Sequence, residues 1–304
     1  MTPKPDISFV TVNFNGIIHT LDLLKSIVNN LPECNYEIIV VDNGSKVNEA
    51  VSIKELFPKA QVIRSDKNLG FAGGNNLGIK SSAGRYIFLI NNDAFLIDDS
   101  VTRLIDIMDR NKSVAAVSPK IYFVNPENTI QFAGYTHLTR ITIRNSGIGY
   151  NEQDTGQYND AAPTSSAHGA AMMVRREVIE KIGLMSEDYF LYYEEIDWCE
   201  KMKEAGFELW YRPEAIVIHK ESQSTGSDSF LKRYYITRNR LLFASRHRKG
   251  VVRAISILYQ LLIADWKDFF KYLLRGRKDL SRAVFTGARD FILLRTGPYG
   301  RHKL

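Results

Sequence analysis

Four apolar runs mark the first hundred residues, and each gives way to polar positions. "ISFVTVNF" (7–14), "YEIIVVD" (36–42), "AQVIRS" (60–65) and "RYIFLIN" (85–91) read as buried strands. Between them the period changes to that of a helix. Leu21, Leu24, Ile27, Val28 and Leu31 share one helical face, and Pro32 closes it. Residues 51–57 read as a short helix, and "NLGFAGGNNLGIKSSAG" (68–84) opens as a turn and continues as a helix. Strands alternating with helices predict an α/β domain with a mostly parallel central sheet and helices on both faces.

The pattern then loosens. Residues 101–110 read as a helix followed by the apolar run "VAAVSPKIYF", whereas 125–165 are polar and show no period. A strand passes into a helix over 170–183, stopped by Gly183. An aromatic entry leads into a helix over 189–206, and "FELWYRPEAIVIH" reads as a strand pair broken at Pro213 and ending at His219. Beyond 230 long helices are expected. Ile255, Leu258, Tyr259, Leu262, Trp266, Phe269, Phe270 and Leu273 fall on one face. No apolar run reaches the roughly 18 residues of a spanning helix. The N-terminus "MTPKPDISFV" lacks the apolar core of a secretory signal, so a cytoplasmic place is expected.

Charge divides the chain. The net charge is +6 over 304 residues, but residues 231–304 carry 18 Lys/Arg against 4 Asp/Glu, a net of +14, which leaves −8 for 1–230. An acidic body with a basic tail predicts an anionic partner for the tail. By charge alone that partner is nucleic acid, phospholipid or a phosphorylated substrate; no recognised nucleic-acid motif accompanies the basic residues, and an anionic membrane surface, packing on the body and a homodimer interface stay open for the tail. The two cysteines, Cys34 and Cys199, have no ligand or redox spacing, which fits a reducing compartment.

Ligands of such sheets bind at the carboxyl ends of the strands, where Asp42 and Asp93 both fall. Asp42 reads either as a cap of the next helix or as an acceptor for a nucleobase N–H. Gly70, Gly73, Gly74 and Gly78 do not make a dinucleotide fingerprint, but they allow close backbone approach, and Asn68, Asn75 and Asn76 add amides. Asn91-Asn92-Asp93 offers one carboxylate. That is enough for Mg²⁺ when a substrate brings a diphosphate. "YYEEIDW" offers Glu194, Glu195 and Asp197, read as carboxylates favoured at a helix start or as a general base in an apolar setting. His219 gains meaning only if its strand ends beside Asp93.

In order, "VDNGS", "NLGFAGGNNLGI", "FLINNDA", "GAAMMVRREVIEKIG", "FLYYEEIDWCEKMKEAGFELWYRPEAIVIH" and "RYYITRNRLL" closely resemble glycosyltransferase family 2, nearest its rhamnosyltransferase-like branch in bacterial polysaccharide synthesis. The resemblance spans roughly residues 7–245. It implies a GT-A fold over 1–230, with a donor half to about 120 and an acceptor half beyond, followed by a basic helical region over 231–304. It also implies an inverting reaction between a nucleotide-diphospho-sugar donor and a saccharide or lipid-linked acceptor.

On that resemblance Asn13, Phe14 and Asp42 adjoin the base, and Asn68, Gly70 and Asn76 shape the nucleotide pocket. Asn91 and Asn92 reach the ribose or sugar, and Asp93 and His219 hold a divalent cation, Mg²⁺ or Mn²⁺. The catalytic pair falls on Glu194-Glu195, with Glu195 as base and Asp197 the nearby alternative. Trp198, His168 and Gly169 form the acceptor and sugar side. The competing expectations are a nucleotidyltransferase, against which "NFNGIIH" lacks a basic triphosphate loop, and an inactive sugar-nucleotide-binding scaffold.

Overall fold

The structure is a computed structural model describing residues 4–31, 33–220 and 229–301, so the helix stop at Pro32 lies outside the described residues. The first half follows the expected alternation: β1 (Ile7–Asn13), α1 (Ile17–Asn30), β2 (Tyr36–Asn43), α2 (Glu49–Leu56), β3 (Gln61–Ser65), α3 (Gly70–Ser81) and β4 (Tyr86–Ile90). These four strands are parallel, in the order β3-β2-β1-β4. Their side chains alternate between two cores. Phe9, Val40 and Phe88 pack toward α1, while Val10, Ile39 and Leu89 pack toward the helix face that carries Ile79, Trp198 and Met202. In α1 the buried stripe is Thr20, Leu23, Leu24 and Ile27. Val28, expected on that face, is exposed, because Leu23 takes the inward place.

The second half makes the sheet mixed. After β5 (Ala94–Phe95) and α4 (Arg103–Arg110) come β6 (Val114–Phe123), β7 (Thr129–Phe132), β8 (Glu152–Gln153), β9 (Ala162–Pro163), β10 (Ala171–Arg175), α5 (Arg176–Ile182), α6 (Glu194–Glu204) and β11 (Glu208–His219). β10 runs antiparallel between β4 and β6, and β11 lies parallel to β6 with β5 on its far side. The unpatterned stretch 125–165 therefore holds strands of two to four residues, too short to show a period. The expected strand pair around Pro213 is one strand. It stays on β6 throughout, with a register break between Arg212 and Ile216 that absorbs the proline.

The tail is α7 (Phe230–His247), α8 (Gly250–Tyr259), a π turn (Gln260–Ala264), α9 (Asp265–Leu274) and α10 (Lys278–Ile292). It is joined to the body at the loop 188–193, whose Phe190, Tyr192 and Tyr193 have φ of 65°, 66° and 78°. Left-handed backbone costs a residue with a Cβ about 1–2 kcal/mol, so this loop needs outside support. Arg238 and Asn239 of α7 supply it. The Arg238 guanidinium donates to Asp188 O at 3.0 Å and Tyr189 O at 2.8 Å. The Asn239 amide nitrogen lies 3.0, 2.8 and 2.7 Å from the carbonyl oxygens of Tyr189, Leu191 and Tyr192. From the other side, Phe71 N donates to Phe190 O at 2.8 Å, an approach that Gly70 permits: a Cβ there would sit 2.1 Å from the same oxygen.

Replacing Asn239 with Ala strips a donor from three carbonyls and is expected to cost about 2–3 kcal/mol, a fall in Tm of about 5 °C or more. Asn239→Asp, which cannot donate, is expected to be no better. Thermal unfolding checks this, and melting within about 1 °C of wild type in both variants would contradict the support.

Candidate active site

The site begins where β4 ends. Asn91 N donates to Ala170 O at 2.9 Å, which turns the chain so that Ala94 pairs with His219 at the end of β11. Asp93 Oδ1 and His219 Nε2 are brought to 3.0 Å across 126 residues of sequence, and Asn91 Nδ2 lies 3.2 Å from the same nitrogen. The other ring nitrogen, Nδ1, is 2.8 Å from Gln131 Oε1, an acceptor that places a proton on Nδ1 and leaves Nε2 with its lone pair. Two acceptor atoms at that spacing call for a proton or a cation between them. About 3.0 Å is also the separation of two neighbouring ligands each about 2.1 Å from an octahedral ion. Burial raises the Asp93 carboxyl, but with a proton held between the two atoms the hydrogen bond and charge of His219 outweigh it and hold the group below its usual range. Among the described residues no group of three or more His, Cys, Asp or Glu side chains is arranged to hold a metal ion, so they offer this pair and no larger ligand set.

His168 continues the site toward the acceptor side. Its ring meets His219 edge-on, with centroids 6.4 Å apart, and stacks on Tyr135 at 5.9 Å with 7° between planes. Ala170 N donates to His168 Nδ1 at 3.1 Å, which puts the ring proton on Nε2. Burial first, and His219 second, push its pKa down to about 3, so the ring is a neutral donor. The next residue, Gly169, faces α6: a Cβ there would lie 3.8 Å from Glu195 Cγ. The buried Cys199 thiol of α6 accepts from Ala167 N at 3.3 Å and so ties the 167–169 segment to that helix. Burial pushes this thiol up to about 12, which makes it a packing group.

The three acidic candidates of α6 have different fates. Glu195 is half-buried, and burial raises its carboxyl. Glu194 is buried and raised well above the usual range, by burial and then by the charge of Glu195; its Oε2 has no hydrogen-bond partner among the described residues. Asp197 is corrected as a candidate base. It is fully buried, with Tyr189 Oη at 2.9 Å, His247 Nε2 at 2.8 Å and Lys201 Nζ at 2.7 Å, and these cations hold it low against burial. Trp198 is corrected as an acceptor-side residue, since it lies in the core and donates to Gly183 O at 2.9 Å.

The donor half is likewise redistributed. Phe14, 41% exposed just past β1, stands where a base edge was expected. Asn13 does not: it is buried, donating to Glu49 Oε2 at 2.7 Å and accepting from Thr20 Oγ1 at 2.8 Å. The Asp42 carboxylate is fully buried, pairs with Arg64 and accepts from Ala50 N in α2 at 3.3 Å, which is the helix-cap reading. The Arg64 guanidinium stays part-exposed beside it. Asn68 caps the entry to α3, accepting from Gly70 N at 2.8 Å. Asn76 is buried, its amide donating to Met185 O at 2.9 Å and Glu187 Oε1 at 3.1 Å. Asn92 donates to Thr20 Oγ1 at 3.1 Å and so ties the end of β4 to α1. Gln131 and Tyr135 were missed because their stretch shows no pattern, and Arg64 because a lone arginine carries no motif.

His247 supplies a test of the network behind α6. Burial lowers its pKa, but hydrogen bonds to Asp197 and Glu204 outweigh that and raise it. A raised histidine stabilises fully below its unfolded value of about 6.5, and the contribution is lost as pH rises through the folded value. His247→Asn is thus expected to cost about 1.5–3 kcal/mol at pH 6, with a Tm gap to wild type that narrows toward pH 9. A gap that stays constant across that range would contradict the ion pair.

Known proteins place this geometry. The sequence profile described as Glycosyl transferase family 2 matches residues 8–183. The chain is 26% identical over 304 residues to the low-salt glycan biosynthesis hexosyltransferase Agl10 of Haloferax volcanii, covering 97% of this chain and 94% of that one. It is 24% identical over 283 residues to the dTDP-rhamnosyl transferase RfbF of Shigella flexneri, covering 87% and 90%. Among solved structures, the mannosyltransferase PcManGT from Pyrobaculum calidifontis, in complex with GDP-Man and Mn²⁺, superposes with a TM-score of 0.58 at 13% identity, over 96% of this chain and 88% of that one. With the profile covering more than half of the chain and the fold shared with a GT-A enzyme, the chain belongs to glycosyltransferase family 2 and is a glycosyltransferase.

Proposed function

We propose that the chain is an inverting glycosyltransferase. It moves a sugar from a nucleotide-diphospho-sugar, dTDP-rhamnose or a UDP-hexose, to a hydroxyl of a saccharide or lipid-linked saccharide in cell-surface polysaccharide synthesis. The observation that carries this reading is the line of contacts from the Asp93–His219 pair, through the His168 ring and Gly169, to the half-buried carboxylate of Glu195. The names of the Haloferax and Shigella relatives support a hexosyl or rhamnosyl donor, and the ligands of the Pyrobaculum structure support a nucleotide-sugar with a divalent cation.

Asp93 and His219 would hold the cation, Mg²⁺ or Mn²⁺, with Gln131 fixing the histidine tautomer. When bound, that ion offsets charge building on the leaving diphosphate. Glu195 takes the proton of the acceptor hydroxyl as its oxygen attacks the anomeric carbon opposite the diphosphate. Burial, and then the charge of Glu195, raise the Glu194 carboxyl well above the usual range, which favours the negative charge of the pair on Glu195. The neutral His168 gives a hydrogen-bond donor, and Phe14 an apolar face, to hold the donor in line.

Product formation with a panel of dTDP- and UDP-sugars tests this. Glu195→Gln is expected to lower kcat by about 10²–10⁴ while donor binding persists. A base must be deprotonated, so its raised pKa puts the acid limb of kcat/KM above the ordinary carboxylate value of about 4.3. Near-full turnover of Glu195→Gln would overturn the assignment.

A further inference from the structure

The face of 250–274 marked apolar by the sequence is turned outward. α8, the π turn and α9 run on as one rod, along which Ile255, Leu258, Leu262, Trp266, Phe270 and Leu273 recur every three or four residues, each 41–64% exposed. The rings of Trp266, Phe269 and Phe270 pack on one another with centroids 5.4–5.8 Å apart. The opposite face of the rod is the docked one. Ser256 Oγ donates to Ile141 O at 2.7 Å, Gln260 Nε2 lies 3.0 Å from Thr142 O, and Tyr272 packs with Leu280 and Val284. The outward stripe is a continuous apolar surface of the kind that marks an interaction site.

Its charges point to the partner. Arg253, Lys267, Lys271 and Arg275 on the rod are exposed, and Lys278 and Arg282 follow on α10. The acidic residues do not neutralise them: Asp265 and Asp290 are buried, Asp268 pairs with Arg233 of α7 at 3.9 Å and Asp279 pairs with Arg277. We propose that this rod lies flat in the headgroup layer of an anionic bilayer, its aromatic and aliphatic stripe among the acyl chain ends and its cations on lipid phosphates. Exposed Trp beside Lys and Arg suits that layer. No helix among the described residues is long and apolar enough to cross a bilayer. A second copy of the chain is the poorer occupant, because a two-fold contact would set one cationic rod against another. The rod is tied to 141–142, and α7 supports the loop before Glu195, so docking fixes the catalytic carboxylate relative to the membrane plane. The inference does not depend on which acceptor is used.

Flotation of the full chain with phosphatidylcholine vesicles, with and without phosphatidylglycerol, tests it. Flotation is expected with the anionic vesicles and about tenfold less partitioning with phosphatidylcholine alone. Trp266→Ser/Phe270→Ser and Lys267→Gln/Lys271→Gln/Arg275→Gln are each expected to lower partitioning about tenfold or more while keeping the wild-type Tm, since all five side chains are exposed. Failure to float with anionic vesicles at low salt would overturn the proposal. So would equal partitioning of wild type and both variants, or a wild-type dimer in sedimentation that the Trp266/Phe270 variant breaks.

Discussion

The backbone of 188–193 is the constraint on which the site depends. Three non-glycine residues in left-handed conformation lead the chain into the start of α6, and that conformation does not hold by itself. Its carbonyls are met by Arg238 and Asn239 from α7, by Phe71 N from α3 and, at Asp188, by Gly297 N from the end of the tail. Three distant parts of the chain thus converge on one short loop. The basic tail is part of this geometry, since α7 supplies the side-chain donors that hold the loop before α6.

Electrostatics then sorts carboxylates that the sequence presents as equals. Asp197 lies one helical turn along from Glu194, yet Lys201 and His247 hold it charged on the far side of α6. Glu194 is raised well above the usual range by burial and the charge of Glu195, and its Oε2 has no hydrogen-bond partner among the described residues. Glu195, half-buried beside Gly169, retains both access and a raised proton affinity, the combination a general base needs. The same sorting occurs at the donor edge. Asp42 is given to Arg64, whereas Asp93 faces a histidine whose second nitrogen is already occupied.

The strands and their polar carboxyl ends were legible because parallel sheets bury both faces and leave apolar runs that stop abruptly. Motif order singles out Glu195, Asp93 and His219, and the structure sets Asp93 against His219 and Glu195 beside Gly169. What the sequence concealed was the partner of each polar side chain. Asn13, Asn76 and Asn92 have the chemistry of ligand-binding amides, but their hydrogen bonds go to Glu49, Met185 and Thr20. Trp198 has the chemistry of a sugar platform and is core. Conversely Gln131, from a stretch without period, sets the tautomer of His219, and Arg238-Asn239 look like ordinary helix residues until the loop that they support is seen.

On the proposed assignment of Asp93 and His219, one carboxylate and one imidazole among the described residues leave most of an octahedral shell to the donor diphosphate and water. Calorimetric titration of Mn²⁺ into the protein, alone and with a saturating nucleotide-diphospho-sugar, measures that division directly. The account predicts weak binding of the ion alone, at least about tenfold tighter binding with the donor, and loss of the donor-dependent gain in Asp93→Asn. Equally tight binding with and without donor, or a gain that survives Asp93→Asn, would contradict it.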